Sequence, residues 1–120
     1  MKQNAIRFLL LAAAVAGMLH VVGYWDPPVI RVSNATAVEL RDVTLTGRGF
    51  VEKIPRIAPG QSAEVVAHPA GESSLTVAFV AAGQAVRADA DTYFEGLGGY
   101  RVQVDVAPGF GVSVRARAGN

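Results

Sequence analysis

Residues 100–117 read YRVQVDVAPGFGVSVRAR. Tyr100, Val102, Val104 and Val106 alternate with Arg101, Gln103 and Asp105, and after a turn Val112, Val114 and Ala116 alternate with Ser113, Arg115 and Arg117. Successive side chains of a strand point to opposite faces, so a period of two predicts one buried and one wet face on each strand. Pro108-Gly109 and Gly111 supply the turn chemistry between them.

The same grammar runs upstream to residue 29. Val29, Ile30 and Val32 open a strand, and Asn34-Ala35-Thr36 reads as a turn. Val38 and Leu40 alternate with charged residues, then Val43 and Leu45 alternate with threonines. The apolar parity shifts at Arg41-Asp42, which predicts a bulge there. Gly47-Arg48-Gly49 is a turn, Phe50 to Ile57 a strand, and Pro59-Gly60 fits a type II turn. Ala63 to Ala67 is a further strand, ended by His68-Pro69-Ala70-Gly71. Leu75, Val77 and Phe79 then alternate, a hairpin falls at Ala82-Gly83, and Ala85 to Ala90 pairs back. Nothing after residue 26 reads as a helix. Seven or eight short strands at this spacing predict an all-β domain over residues 29–120, an immunoglobulin-like antiparallel β-sandwich.

Three segments also carry a resemblance. Val29-Ile30-Arg31-Val32-Ser33-Asn34, the strand Val38 to Leu45, and Ile57-Ala58-Pro59-Gly60-Gln61-Ser62 look like the opening of bacterial immunoglobulin-like exported domains. With the N-terminal segment described next, the chain resembles small single-pass proteobacterial envelope proteins of unassigned function. That likeness implies a fold and a compartment, not an activity.

Residues 5–25, AIRFLLLAAAVAGMLHVVGYW, are apolar except for Arg7 and His20, and Lys2 and Arg7 lie at their N-terminal end. Twenty-one helical residues would span about 31 Å, the thickness of a hydrocarbon core. Tyr24 and Trp25 stand where an outer aromatic belt forms, and Pro27-Pro28 stops a helix. The positive charge lies on the N-terminal flank only. Residues 1–25 therefore read as a signal anchor, 26–28 as a proline linker, and 29–120 as the exported domain. The expectation is a single-pass inner-membrane protein with a cytoplasmic N-terminus and a periplasmic C-terminal domain. The rival reading is cleavage after Ala14-Val15-Ala16, which would release a soluble periplasmic or secreted binding module. On a helical wheel Ala12, Ala13, Ala16, Gly17 and His20 share one arc, a candidate packing face for a partner helix.

Composition excludes several chemistries. Without Lys2 and Arg7, nine of the eleven basic residues face ten acidic ones. A downstream net charge near −1 argues against nucleic acid, which needs a basic stripe. The chain has no cysteine, so it offers no thiolate metal site, no lipoprotein anchor and no cysteine nucleophile. Copper lacks soft ligands downstream, since both methionines are N-terminal. His68 is the lone downstream histidine, and Ser73 and Ser74 lack a nucleophile-elbow context. Asp89, Asp91 and Glu95 lack the ligand order of a calcium loop and read as a solvated acidic edge. Asp89 and Asp91, two apart on a strand, are the one carboxylate pair at a spacing catalysis could use. A pilin-like role is disfavoured, because the anchor carries no glutamate and Pro27-Pro28 blocks helix extension.

The unusual loop is Tyr93-Phe94-Glu95-Gly96-Leu97-Gly98-Gly99-Tyr100. Rigid apolar side chains on an adaptable backbone make contact surfaces, so Tyr93, Phe94, Leu97 and Tyr100 are candidate partner-contact residues. The same aromatics could instead fold inward and cap the core. The expected function is non-enzymatic, with no cofactor and no metal: a membrane-anchored accessory or interaction subunit of a cell-envelope complex. Its expected partners are the membrane and another envelope protein.

Overall fold

The computed structural model describes residues 25–119. The expected anchor, its arc through Ala12, Ala13, Ala16, Gly17 and His20, and the Ala16 cleavage position lie outside them. No helix among the described residues is long and apolar enough to cross a membrane.

Eight strands follow one another: β1 Val29–Asn34, β2 Leu40–Gly47, β3 Phe50–Ile57, β4 Ser62–Val66, β5 Ser73–Ala81, β6 Gln84–Phe94, β7 Arg101–Val106 and β8 Val112–Arg117. They form two four-stranded sheets, ordered β4-β1-β7-β8 and β3-β2-β5-β6. The β1 sheet contributes Ile30, Val32, Val102, Val104 and Val106 to the core between the layers. The β2 sheet contributes Leu40, Val43, Leu45, Leu75, Val77 and Phe79. These are the residues that the period of two assigns inward. The all-β sandwich of seven or eight strands that the sequence predicts is present, with eight strands.

Two finer expectations are corrected. The sandwich is not wholly antiparallel, because β1 runs parallel to β7, with Val29 opposite Arg101 and Asn34 opposite Val106. The strand order also differs from the immunoglobulin one, in which the second and third strands lie in different sheets. Here β2 and β3 are joined by Arg48-Gly49 alone, between the paired Gly47 and Phe50. Ala82-Gly83 likewise joins β5 and β6 between Ala81 and Gln84. Two residues cannot carry the chain across the roughly 10 Å between packed sheets, so each pair stays in one sheet as a hairpin.

Local turn chemistry otherwise follows the sequence. Asp42 has a φ of 50° and forms the bulge, where the β2–β5 register shifts between Arg41 and Thr44. That extra residue keeps Leu40 and Val43 both inward. At Ala58-Pro59-Gly60-Gln61 the Gln61 N–H donates to Ala58 O at 3.1 Å. Gly60 takes the positive φ of 75° that a type II turn demands at its third residue. Gly47 answers a different need: a Cβ there would collide with the Phe50 ring and the Ser73 hydroxyl.

The residue that ties the layers is Asn34, at the end of β1 and 2 % exposed. Its Nδ2 donates to Val38 O at 2.8 Å and to Ile57 O at 3.0 Å. Its Oδ1 accepts from the Thr36 N–H at 3.0 Å and lies 2.7 Å from the Thr36 hydroxyl. The Asn34 N–H donates to Gln61 O and its carbonyl accepts from Gly60 N. One side chain thus holds the β1–β2 crossing and the end of β3 while its backbone holds the β3–β4 turn. Asn34→Ala would leave several buried groups without partners and should lower unfolding free energy in urea by about 3 kcal/mol. Asn34→Asp keeps the shape but aims carboxylate oxygen at two carbonyls. It should be worse than alanine at neutral pH and recover part of the loss as pH falls towards about 4, because burial against carbonyls raises its folded-state pKa above the ordinary carboxylate value. Equal stability of wild type and both variants would refute the tie.

Candidate functional site

The strands define two ends. β1, β3, β5 and β7 start at one end, here called lower, where β2, β4, β6 and β8 finish; the upper end holds the turns at 58–61, 82–83 and 107–111. The lead-in to β1 is bonded to the lower end rather than hanging free as a linker. Pro28 O accepts from Ala67 N at 3.0 Å, Asp26 O from Gly99 N at 3.1 Å, and Tyr100 O from Val29 N at 3.0 Å. Gly119 N donates to Gly98 O, so both ends of the described chain clamp the 95–100 loop.

That loop is shorter than the sequence suggests. β6 continues through Asp91, Tyr93 and Phe94, because Ala88, Ala90 and Thr92 keep the inward parity until Phe94 resumes it. Alanine is a weak strand former, which hid this continuation. The four aromatic and aliphatic candidates separate accordingly. Phe94 is fully buried, 6.1 Å from the Phe50 ring. It is a core residue, which corrects its place among the contact candidates. Tyr100 is half-buried against the core, with its ring 6.1 Å from that of Tyr93. Tyr93 and Leu97 remain exposed, at 49 % and 39 %.

A pattern absent from any single segment emerges here. The exposed large apolar residues among those described are Trp25, Val51, Val66, Tyr93 and Leu97. Trp25 precedes β1, Val51 is second in β3, Val66 ends β4, Tyr93 nearly ends β6, and Leu97 sits in the lower loop. All five lie toward the lower end. The upper turns expose alanine, proline, glycine and glutamine instead.

The basic residues group by sheet face. Arg31, Arg101, Arg115 and Arg117 all point outward from the β1 sheet and border a shallow groove of about 440 Å³. That face places four of the nine downstream basic residues together, and the outer face of the β2 sheet carries Arg41, Lys53, Arg56 and Arg87, a distribution concealed by the downstream net charge near −1. The four of the β1 sheet are scattered over three strands, but each sits on the wet side of a period-two pattern. That parity is the signal that could have found them.

The residues weighed for catalysis are engaged in structure. The Ser73 hydroxyl accepts from Arg48 N–H at 2.9 Å and donates to Ser74 O at 2.7 Å. His68 is exposed in the connection between β4 and β5. Asp89 accepts from the Thr76 hydroxyl at 2.8 Å. That bond and the neighbouring Arg87 guanidinium hold its carboxyl below the ordinary value, opposite to what a general acid needs. Among the described residues no three His, Cys, Asp or Glu side chains converge on one point. Tyr93 donates to Glu95 Oε2 at 3.0 Å, with Glu72 Oε1 at 3.5 Å. The Glu95 bond, then desolvation and the Glu72 charge, push its hydroxyl up to about 12.

Comparison with known proteins adds fold alone. No protein-family model matches the chain, and no curated protein matches it. It is similar to a protein from Eubacterium rectale solved by NMR, at 18 % identity and a TM-score of 0.52, over 79 % of this chain and 92 % of that one.

Two outcomes follow from this geometry. Phe94→Ala should cost about 3–5 kcal/mol of stability, whereas Leu97→Ser should change it by less than about 0.5 kcal/mol; thermal and urea unfolding measure both. In a near-ultraviolet titration of the full chain, one tyrosine should ionise near 12, and Glu95→Gln should move it back down. Because the folded value is raised above 10.0, the Tyr93 hydroxyl stabilises the fold below about pH 10. That contribution disappears as pH climbs through about 12.

Proposed function

We propose that this protein is a non-enzymatic, membrane-anchored accessory subunit of a bacterial cell-envelope complex. Residues 1–25 hold it in the inner membrane with the N-terminus cytoplasmic, and the sandwich lies in the periplasm. The observation that supports this reading is the confinement of exposed Trp25, Val51, Val66, Tyr93 and Leu97 to the end where the N-terminal segment joins the domain. Scattered surface apolar residues need no explanation, but apolar residues gathered at one end favour a contact there. In this arrangement Leu97 and Tyr93 meet a partner protein close to the bilayer, and the arc through Ala13, Gly17 and His20 packs on that partner's transmembrane helix.

The test is purification of the full chain in mild detergent, with intact mass and co-purifying protein as readouts. The chain should retain residues 1–16 and resist alkaline extraction from membranes. Leu97→Ser should cut recovery of the co-purifying protein about ten-fold at unchanged melting temperature, and Ala13→Leu with Gly17→Leu should do the same. A soluble product lacking residues 1–16 would replace the anchored subunit with a free periplasmic or secreted binding module. Undiminished recovery with both variants would remove the proposed contacts.

A further inference from the structure

We infer that the outer face of the β1 sheet docks on anionic phospholipid headgroups of the membrane holding the N-terminal segment, an inference that rests on the anchor reading. Strand register sets the face out in rows. Nearest the lower end, Val66, Val29, Arg101 and Arg117 lie side by side, and Glu64, Arg31, Gln103 and Arg115 form the next row. The rows are about 7 Å apart.

Arg101 and Arg117 are direct cross-strand neighbours, and like charges so placed repel. Among the described residues neither has a carboxylate partner. Arg31 has none either, although Glu64 stands opposite it in the register. Asp105 is committed to Arg115 at 3.3 Å and to Gln103 at 2.9 Å. The face therefore keeps three exposed guanidinium groups around a groove, without the anions that would satisfy them. Guanidinium forks match phosphate oxygens in pairs and stack flat on a surface.

Position selects the occupant. The arginine rows begin beside Val29, three residues beyond Asp26, where the apolar segment ends. Any bilayer that holds residues 5–25 therefore lies within reach of Arg101 and Arg117. Exposed Val66 stands beside Val29 in the same row and exposed Trp25 lies four residues before Val29 in the chain, and an aromatic with basic residues is the composition that settles at a headgroup layer. At the lower end of the β2 sheet, Glu72 and Glu95 stand around Tyr93. An anionic surface repels those carboxylates and favours contact through the arginines of the β1 sheet. On the outer face of the β2 sheet the cations stand farther from that end: the row nearest it holds Val51, Thr46, Thr76 and Asp89, with Lys53 and Arg87 in the next row and Arg41 and Arg56 towards the upper end, and Arg41 and Arg87 are paired with Glu39 and Asp89.

The chain has no cysteine, so single cysteines label it uniquely. Ser113→Cys places a fluorophore on the β1-sheet face and Thr46→Cys places one on the β2-sheet face. The full chain is reconstituted in nanodiscs of phosphatidylcholine alone or with phosphatidylglycerol, each containing a headgroup quencher. Retention of the chain in the discs after an alkaline wash reports the anchor independently. The expected result is stronger quenching at position 113 in anionic discs, none of that increase at position 46, and its loss at high salt. Arg101→Gln with Arg117→Gln should lower the docked-to-undocked ratio about 25-fold, at about five-fold per arginine, without lowering the melting temperature. Equal quenching in both lipids, with the chain retained, overturns the docking face and leaves the anchor standing. Equal quenching with retention on an immobilised soluble polyanion reassigns the face to a soluble polymer. Loss of the chain from both kinds of disc overturns the anchor and this inference with it.

Discussion

The structure depends on one buried amide. Asn34 ends β1 in one sheet and bonds to Val38 and Ile57, which lead into β2 and close β3 in the other. Apolar faces would hold two sheets together in many registers, because hydrophobic burial has no direction. Asn34 has direction. Both its amide hydrogens and its carbonyl oxygen are engaged, so sliding either sheet would leave polar groups dry and unpaired. With the Gly60 turn bound to its backbone, it fixes the upper end in one arrangement.

The lower end is closed by apolar groups instead. Phe50 and Phe94 fill the space beneath the core, and Gly47 lets the Phe50 ring lie against the end of β2. The 95–100 loop is held by backbone bonds to Asp26 and Gly119. The two ends thus differ in kind, with polar crossings above and aromatic closure with exposed apolar residues below. A free globular domain gains nothing from exposing Trp25, Tyr93 and Leu97 at one end. Next to a bilayer or a partner the same exposure becomes contact area, which is why the functional reading turns on this asymmetry. The arginine face extends it, since unsatisfied cations beside the apolar end are suited to an anionic surface.

Much was legible beforehand because it is local. A period of two is written in consecutive residues, so Val102, Val104 and Val106 declared their burial. The parity break at Arg41-Asp42 declared its bulge, and Ala82-Gly83 and Pro59-Gly60 declared their turns. The strand through Asp91 to Phe94 was not legible, because its inward positions are alanine and threonine. Phe94 therefore read as a loop residue, either a contact or an inward cap, when it is the last, buried residue of β6. The paired roles of Tyr93 and Tyr100, one exposed and one half-buried, follow from which side of the clamped loop each leaves.

The sequence by itself determined the strands, their inward faces, the turn types and the apolar segment at residues 5–25, since each depends on neighbours along the chain. Tertiary structure decided which strands are partners. The parallel β1–β7 pairing joins residues about seventy positions apart, and no local pattern encodes that choice. It also decided the arginine face, because Arg31, Arg101 and Arg117 become neighbours only through that pairing and the β7–β8 register. A downstream net charge near −1 is a sum, and a sum carries no positions; folding placed Arg101 and Arg117 side by side at the end where the apolar segment joins the domain.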